Sequence, residues 1–206
     1  MEDVLAVYTR PRDPDRPLVC LDETSKQLIA ETRVPIAMKA GRPARFDYEY
    51  ERNGTANLFM MSEPLAGWRA VHVTERRTAV DFAEAVRWLV EDVYTEADKV
   101  VLVMDNLNTH GIGSLYEVFE PAKAFALAQR LEIHHTPKHG SWLNIAEIEL
   151  SALTRQCLDR RLDDLAVLNT ELAAWQQATN TAQRQVDWQF TTADARIKLR
   201  HLYPNS

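Results

Sequence analysis

In KVVLVMDNLNTHG, residues 99–111, a run of five apolar residues ends on Asp105, and small hydrogen-bonding groups follow: Asn106, Asn108, Thr109 and His110. A carboxylate at the carboxyl end of a short β-branched strand is fixed by rigid backbone and faces the crevice in which α/β sheets bind ligands. Aspartate is equally a common helix cap, and Asp105 alone supports either reading. A second acid, Asp22, lies within or at the end of the apolar stretch LVCLDE (18–23). A third comes from TPKHGSWLNIAEIELSALTRQCL (136–158), where Pro137 and Gly140 break the chain, Ser141 is a candidate N-cap, and the following helix carries Glu147 and Glu149.

Two residues along a helix is about 200° of rotation, so Glu147 and Glu149 cannot serve one site. Glu147 shares a face with Leu143, Asn144, Leu150 and Ser151, and Glu149 with Ile145, Ala146, Ala152 and Leu153. Both faces are partly apolar, and periodicity does not choose between them. The helix start favours negative charge, which favours Glu147. Acids from a first strand, a central strand and a late helix would repel one another unless a cation joined them. Hard cations such as Mg²⁺ prefer oxygen ligands, and a pair of them can clamp the attacking and leaving oxygens of an in-line phosphoryl displacement.

The elements that must position these acids are readable in outline. LVCLDE (18–23) suits a strand, with QLIAE (27–31) a candidate partner for it. A loop spans 32–45. FDYEYE (46–51) alternates like a half-buried strand, Asn53-Gly54 signals a hairpin turn, TANLFMMS (55–62) continues as a strand, and WRAVHVT (68–74) adds another. Residues 78–95 have helical spacing, VVLVM (100–104) is a central strand, 113–130 is helical with a break near Pro121, and LEIHH (131–135) is a further strand. Helices are expected over 142–158, 162–178 and 192–202. This order predicts a mixed α/β domain with a sheet of about five strands flanked by helices.

Composition sets the outer limits. The chain has 206 residues, 46% apolar and 26% charged, enough for one good-sized core. No apolar run approaches a membrane span, and the start MEDVLAVYTR bears acids where a signal peptide has lysines, so a cytoplasmic protein without membrane association is expected. Cys20 and Cys157 form no CxxC pair. The net charge of −6 argues weakly against nucleic acid, but residues 33–46 hold Arg33, Lys39, Arg42 and Arg45 and no acid. From charge alone that stretch reads as a solvated loop. TRPRDPDRP (9–17) reads as a linker.

CLDET, VLVMDNLNTH and HTPKHGSWLNIAEIELSALTRQCL together closely resemble bacterial insertion-sequence transposases of the mariner superfamily, which carry a DDE triad. NGTANLFM and WQFTTADARIKLRHLYP resemble the same family, so the likeness runs over nearly the whole chain from Leu18. It implies a ribonuclease H-like fold, a triad of Asp22, Asp105 and Glu147 binding Mg²⁺ or Mn²⁺, and DNA as partner. Transposon ends would be cut by hydrolysis and the freed 3′-hydroxyl joined to target DNA. Glu147 corresponds to the last position of the family's LNxxE pattern at Leu143, Asn144 and Glu147. Family members begin with helix-turn-helix modules, for which residues 1–17 leave no room. The chain is therefore expected to be an N-terminal segment and linker (1–17) and a catalytic domain (18–206). Two alternatives stand beside this reading: a ribonuclease H-like nuclease without strand transfer, and a truncated regulator of a full-length transposase.

Candidate DNA contacts are Arg42, Arg45, His110, Lys138, His139 and Trp142. Lys138 and His139 precede the Glu147 helix; His110 would touch a scissile phosphate or hydrogen-bond within its loop; Trp142 would stack on an unpaired base or pack in the core. His134, His135 and His139 lack the common helical face and the fourth ligand that a zinc site needs. Trp88, Trp175 and Trp188 read as packing residues. Leu165, Leu168, Leu172 and Trp175 form a helical stripe suited to intramolecular packing, with a homodimer contact as the alternative.

Overall fold

A computed structural model describes residues 1–107, 111–138 and 140–203. Its centre is a five-stranded mixed sheet of β1 (Leu18–Glu31), β2 (Tyr50–Glu63), β3 (Trp68–Thr74), β4 (Val100–Met104) and β5 (Leu131–His135), in the order β3-β2-β1-β4-β5. β1, β2 and β3 pair antiparallel; β4 joins β1, and β5 joins β4, in parallel. Helices α1 (Glu2–Tyr8), α5 (Ile145–Leu153), α6 (Leu165–Ala182) and α7 (Thr192–Lys198) contribute to one buried cluster. Helices α2 (Ala79–Trp88), α3 (Ile112–Val118) and α4 (Pro121–Gln129) contribute to the other.

The alternation of strand side chains assigns each residue to a layer. Leu18 and Cys20 of β1, with Val101 and Val103 of β4, point into the α1/α5/α6 layer, whereas Val19, Leu21, Leu102 and Met104 point into the α2/α3/α4 layer. No described helix is long and apolar enough to cross a membrane.

The antiparallel half differs from the sequence expectation. LVCLDE and QLIAE are not partners but one continuous 14-residue strand, because the intervening Thr24-Ser25-Lys26 offers no Gly, Pro, Asn or Asp to turn the chain. Asn53-Gly54 is no hairpin turn. It lies inside β2, where Asn53 and Gly54 together oppose the single residue Leu28, between the Gln27–Thr55 and Ile29–Arg52 pairs. Gly54, at φ +104°, supplies the backbone that this bulge needs. The irregularity leaves the Ile29 N–H to donate to the Leu162 carbonyl at 2.7 Å, and Asn53 Nδ2 to donate to the Asp163 carbonyl at 2.9 Å. FDYEYE is strand only from Tyr50; Phe46 and Tyr48 are exposed. The turn sits within the expected loop instead, where Ile36 bridges Arg45 and Lys39 bridges Arg42 around Gly41 at φ +72°.

Residues 1–17 are tied to the sheet. α1 buries Val4, Leu5, Val7 and Tyr8. Beyond it, Arg10 and Arg16 both pair with Glu132 of β5, and Arg12 pairs with Glu63 of β2. β3 forms one edge of the sheet, and α6 satisfies part of that edge. Asn180 accepts from the Arg69 N–H and donates to the Arg69 carbonyl, both at 2.8 Å, and Gln176 accepts from the Val71 N–H at 2.7 Å. Such capping stops another strand from pairing there. Leu168, Leu172 and Trp175 of α6 are buried within the chain's own core.

Candidate active site

The sheet register brings the two aspartates together. β1 and β4 pair Leu18 with Val101 and Cys20 with Val103. Carried two residues further, the same register aligns Asp22 with Asp105, just past the end of β4. Neighbouring strands lie about 4.8 Å apart, and both positions have the parity that faces the α5 layer.

The position of Glu147 follows from how α5 begins. A short 3₁₀ turn, Ser141–Leu143, precedes it, and the N-cap is Asn144, not the expected Ser141. Asn144 Oδ1 accepts from the Ala146 N–H at 3.1 Å, and its Nδ2 donates to the Leu21 carbonyl at 2.8 Å. The helix start is thereby fastened to the residue preceding Asp22, and Glu147 falls in the first turn.

The choice between the glutamates follows from burial. Ile145, Ala146, Glu149 and Leu153 form the buried face of α5. Glu149 is 6% exposed and accepts two hydrogen bonds from the equally buried Arg69, Nε to Oε2 at 2.6 Å and Nη2 to Oε1 at 2.7 Å. Arg69 also donates to the carbonyls of Gly67 and Arg184. Glu149 is therefore committed to a structural ion pair, and Glu147, about 200° away, is only partly buried.

Burial dominates the electrostatics of Asp22. Asp22 has its pKa pushed up to about 7, first by burial and further by the charges of Glu23, Asp105 and Glu147. The Glu23 N–H, which Asp22 Oδ1 accepts at 2.8 Å, opposes this. Among the described residues no three His, Cys, Asp or Glu side chains stand close enough together to hold an ion as they are. Three mutually repelling carboxylates would be expected to close up only around a cation. The donors are all carboxylate oxygens, which suits a hard divalent cation rather than zinc.

The other candidates are dispersed. Arg42 and Arg45 are exposed on the 36–45 hairpin, and Lys138 is exposed ahead of α5. Trp142 is 44% exposed and meets Phe190 edge-on, with ring centroids 5.8 Å apart, so it is not a core residue. His110 and His139 lie outside the described residues, as do Asn108 and Thr109. His134 sits between Asp3, at 2.7 Å, and Glu132, at 3.0 Å. The sequence reading missed Arg69 and Tyr8. The only signal for Arg69 was a charge on an apolar strand, matched by Glu149 on an apolar helix face.

The mixed sheet order β3-β2-β1-β4-β5, with helices on both faces, defines a ribonuclease H-like fold. The sequence model for the DDE superfamily endonuclease family matches residues 17–169, and the chain belongs to that family. No curated protein sequence matches it. Among solved structures it is similar to a chain in the Mos1 mariner paired-end complex with Mn, at a TM-score of 0.57 and 18% identity over 86% of this chain and 52% of that one. It is likewise similar to a chain in the Mos1 strand transfer complex, at 0.59 and 16% over 86% and 51%. A pre-cleavage Mos1 transpososome gives 0.54 and 16% over 86% and 53%. The chain thus spans about half the length of the Mos1 chains it matches.

Two outcomes follow for the isolated protein in chelator. Asp22 ionises at about 7 in the fold against an ordinary 3.8, so its charge costs the native state stability. The cost is absent below pH about 4 and grows as pH rises to about 7. The Asp22→Asn variant should match the native chain at pH 4 in urea melts and be more stable by about 2–4 kcal/mol at pH 8. A constant difference across that range would contradict the assignment. Separately, Glu149→Gln leaves the Arg69 guanidinium buried without its counter-charge and should cost about 3 kcal/mol. Glu147→Gln should cost nothing or stabilise slightly. Melting temperatures of the two variants compare them directly.

Proposed function

We propose that this chain is the catalytic domain of a DNA transposase, working on DNA in the cytoplasm, with Asp22, Asp105 and Glu147 as its catalytic acids. The observation that carries the reading is Asp22, partly buried and charged against by both Asp105 and Glu147, in a member of the DDE superfamily endonuclease family. The similarity to chains in Mos1 complexes named for paired-end and strand-transfer assemblies supports DNA as the partner.

The three carboxylates would hold two divalent cations, Mg²⁺ or Mn²⁺. When bound, such ions neutralise the phosphoryl oxygens and make water a stronger nucleophile. The chain's own contribution is placement. β1 and β4 fix two acids side by side, and the Asn144 cap brings the third. In the cleavage step a water oxygen bonds to phosphorus, the bond from phosphorus to the 3′ oxygen breaks, and that oxygen takes up a proton as the 3′-hydroxyl. In the joining step the 3′-hydroxyl oxygen bonds to a phosphorus of the target strand and gives up its proton, the bond from that phosphorus to the target's own 3′ oxygen breaks, and the displaced oxygen takes up a proton. Neither step requires a covalent enzyme intermediate. Arg42, Arg45, Lys138 and Trp142 would contact the DNA, with His110 and His139 as further candidates, and phosphate contacts by the cationic side chains would make binding salt-dependent.

The test is nicking of supercoiled plasmid in Mn²⁺, below the melting temperature of every variant. The native chain should nick and EDTA should stop it. Asp105→Asn and Glu147→Gln should each lose at least about 100-fold in rate, a loss of about 3 kcal/mol or more of transition-state stabilisation. Glu149→Gln should retain most of it. Nicking without joining of the 3′ end to a second duplex would reduce the proposal to a hydrolytic nuclease. Undiminished nicking by Asp105→Asn would overturn it.

A further inference from the structure

Tyr8 lies in α1, far in sequence from Asp105 and Glu147, and is 5% exposed. Its hydroxyl donates to the Leu143 carbonyl at 2.7 Å and accepts from the Ile145 N–H at 3.3 Å. These are the residues on either side of the Asn144 cap. The same oxygen lies 3.7 Å from Cys20 Sγ, two residues before Asp22 on β1. The ring is held against Trp188, with centroids 4.9 Å apart.

The Ile145 N–H is one of the first backbone donors of α5, which have no partner inside the helix. A buried donor left alone is costly, and so is the flanking carbonyl. One hydroxyl thus satisfies both groups, and it does so at the junction between the strand that carries Asp22 and the helix that carries Glu147. Asn144 holds the helix start along β1 through Leu21. Tyr8 holds it from α1. Two attachments on either side of the cap fix both the height and the tilt of the first turn, where Glu147 sits.

We infer that Tyr8 is a positioning residue, whose hydroxyl sets the distance between Glu147 and Asp22 and so the affinity of the site for its divalent cations. This rests on the reading of Asp22, Asp105 and Glu147 as cation ligands. Phenylalanine at position 8 would keep the ring, its volume and its contact with Trp188, and would remove only the hydroxyl.

The experiment is Mn²⁺ binding to the full chain, by calorimetry and by the rise in melting temperature on adding Mn²⁺, with plasmid nicking alongside. Three proteins are compared: native, Tyr8→Phe and Leu5→Ala. Leu5 is fully buried in the same helix, so its truncation controls for a general loosening of α1. Tyr8→Phe should weaken Mn²⁺ binding about 10- to 100-fold, the usual loss when a group that orients a metal ligand is removed. Its nicking should recover at high Mn²⁺. Leu5→Ala should lose melting temperature and keep the native affinity. Unchanged Mn²⁺ affinity in Tyr8→Phe would overturn the inference and leave the site assignment standing, as would equal losses in both variants. Failure of the native chain to bind Mn²⁺ would overturn both.

Discussion

The side-chain amide of Asn144 makes two hydrogen bonds in opposite directions, one to the Leu21 carbonyl of β1 and one from the Ala146 N–H of α5. The residue is 1% exposed, so neither bond competes with water. Without it, the Ala146 N–H would lose its cap and α5 its direct bond to β1. The register of β1 and β4 aligns two carboxylates by backbone pairing alone, but nothing in the sheet dictates where a helix from a later part of the chain must begin. That single cap supplies the missing coordinate, which gives a physical reason for an asparagine three residues ahead of the acid in LNxxE.

A second constraint turns the helix. An apolar stripe alone would tolerate some rotation of α5 about its axis. The buried pair of Arg69 and Glu149 does not, because both charges need each other and the guanidinium is also held by the Gly67 and Arg184 carbonyls. Buried ion pairs add little net stability compared with an apolar packing, yet they penalise other arrangements heavily. Here the pair draws Glu149 into the protein, and helical geometry leaves Glu147, about 200° away, on the partly buried face. Under the proposed function, two acids with the same side chain, two residues apart, are thereby separated into a structural and a chemical role.

Much of this was legible in the sequence. β3, β4 and β5 have the bounds read from WRAVHVT, VVLVM and LEIHH, because short apolar or β-branched runs between clear breakers leave few alternatives. The break near Pro121 and the late helices were equally plain. The antiparallel ribbon was not. Asn53-Gly54 makes a good turn in isolation, but pairing along β1 continues past it and turns it into a bulge, a choice made by tertiary contacts with Leu162 and Asp163. The start of α1 was missed because seven residues carry too little periodicity to read as a helix. The sequence proposed the three acids by their settings and by family resemblance, and chose Glu147 by its place at the helix start and the LNxxE pattern; what it could not show was the partner of Glu149, because Arg69 comes from a strand 80 residues away in sequence.

The most direct measurement is anomalous diffraction from a crystal of this chain soaked in Mn²⁺. The account predicts anomalous density between the carboxylates of Asp22, Asp105 and Glu147, with Glu149 still paired to Arg69. Density ligated by Glu149, or Mn²⁺ bound only away from Asp22 and Asp105, would contradict it.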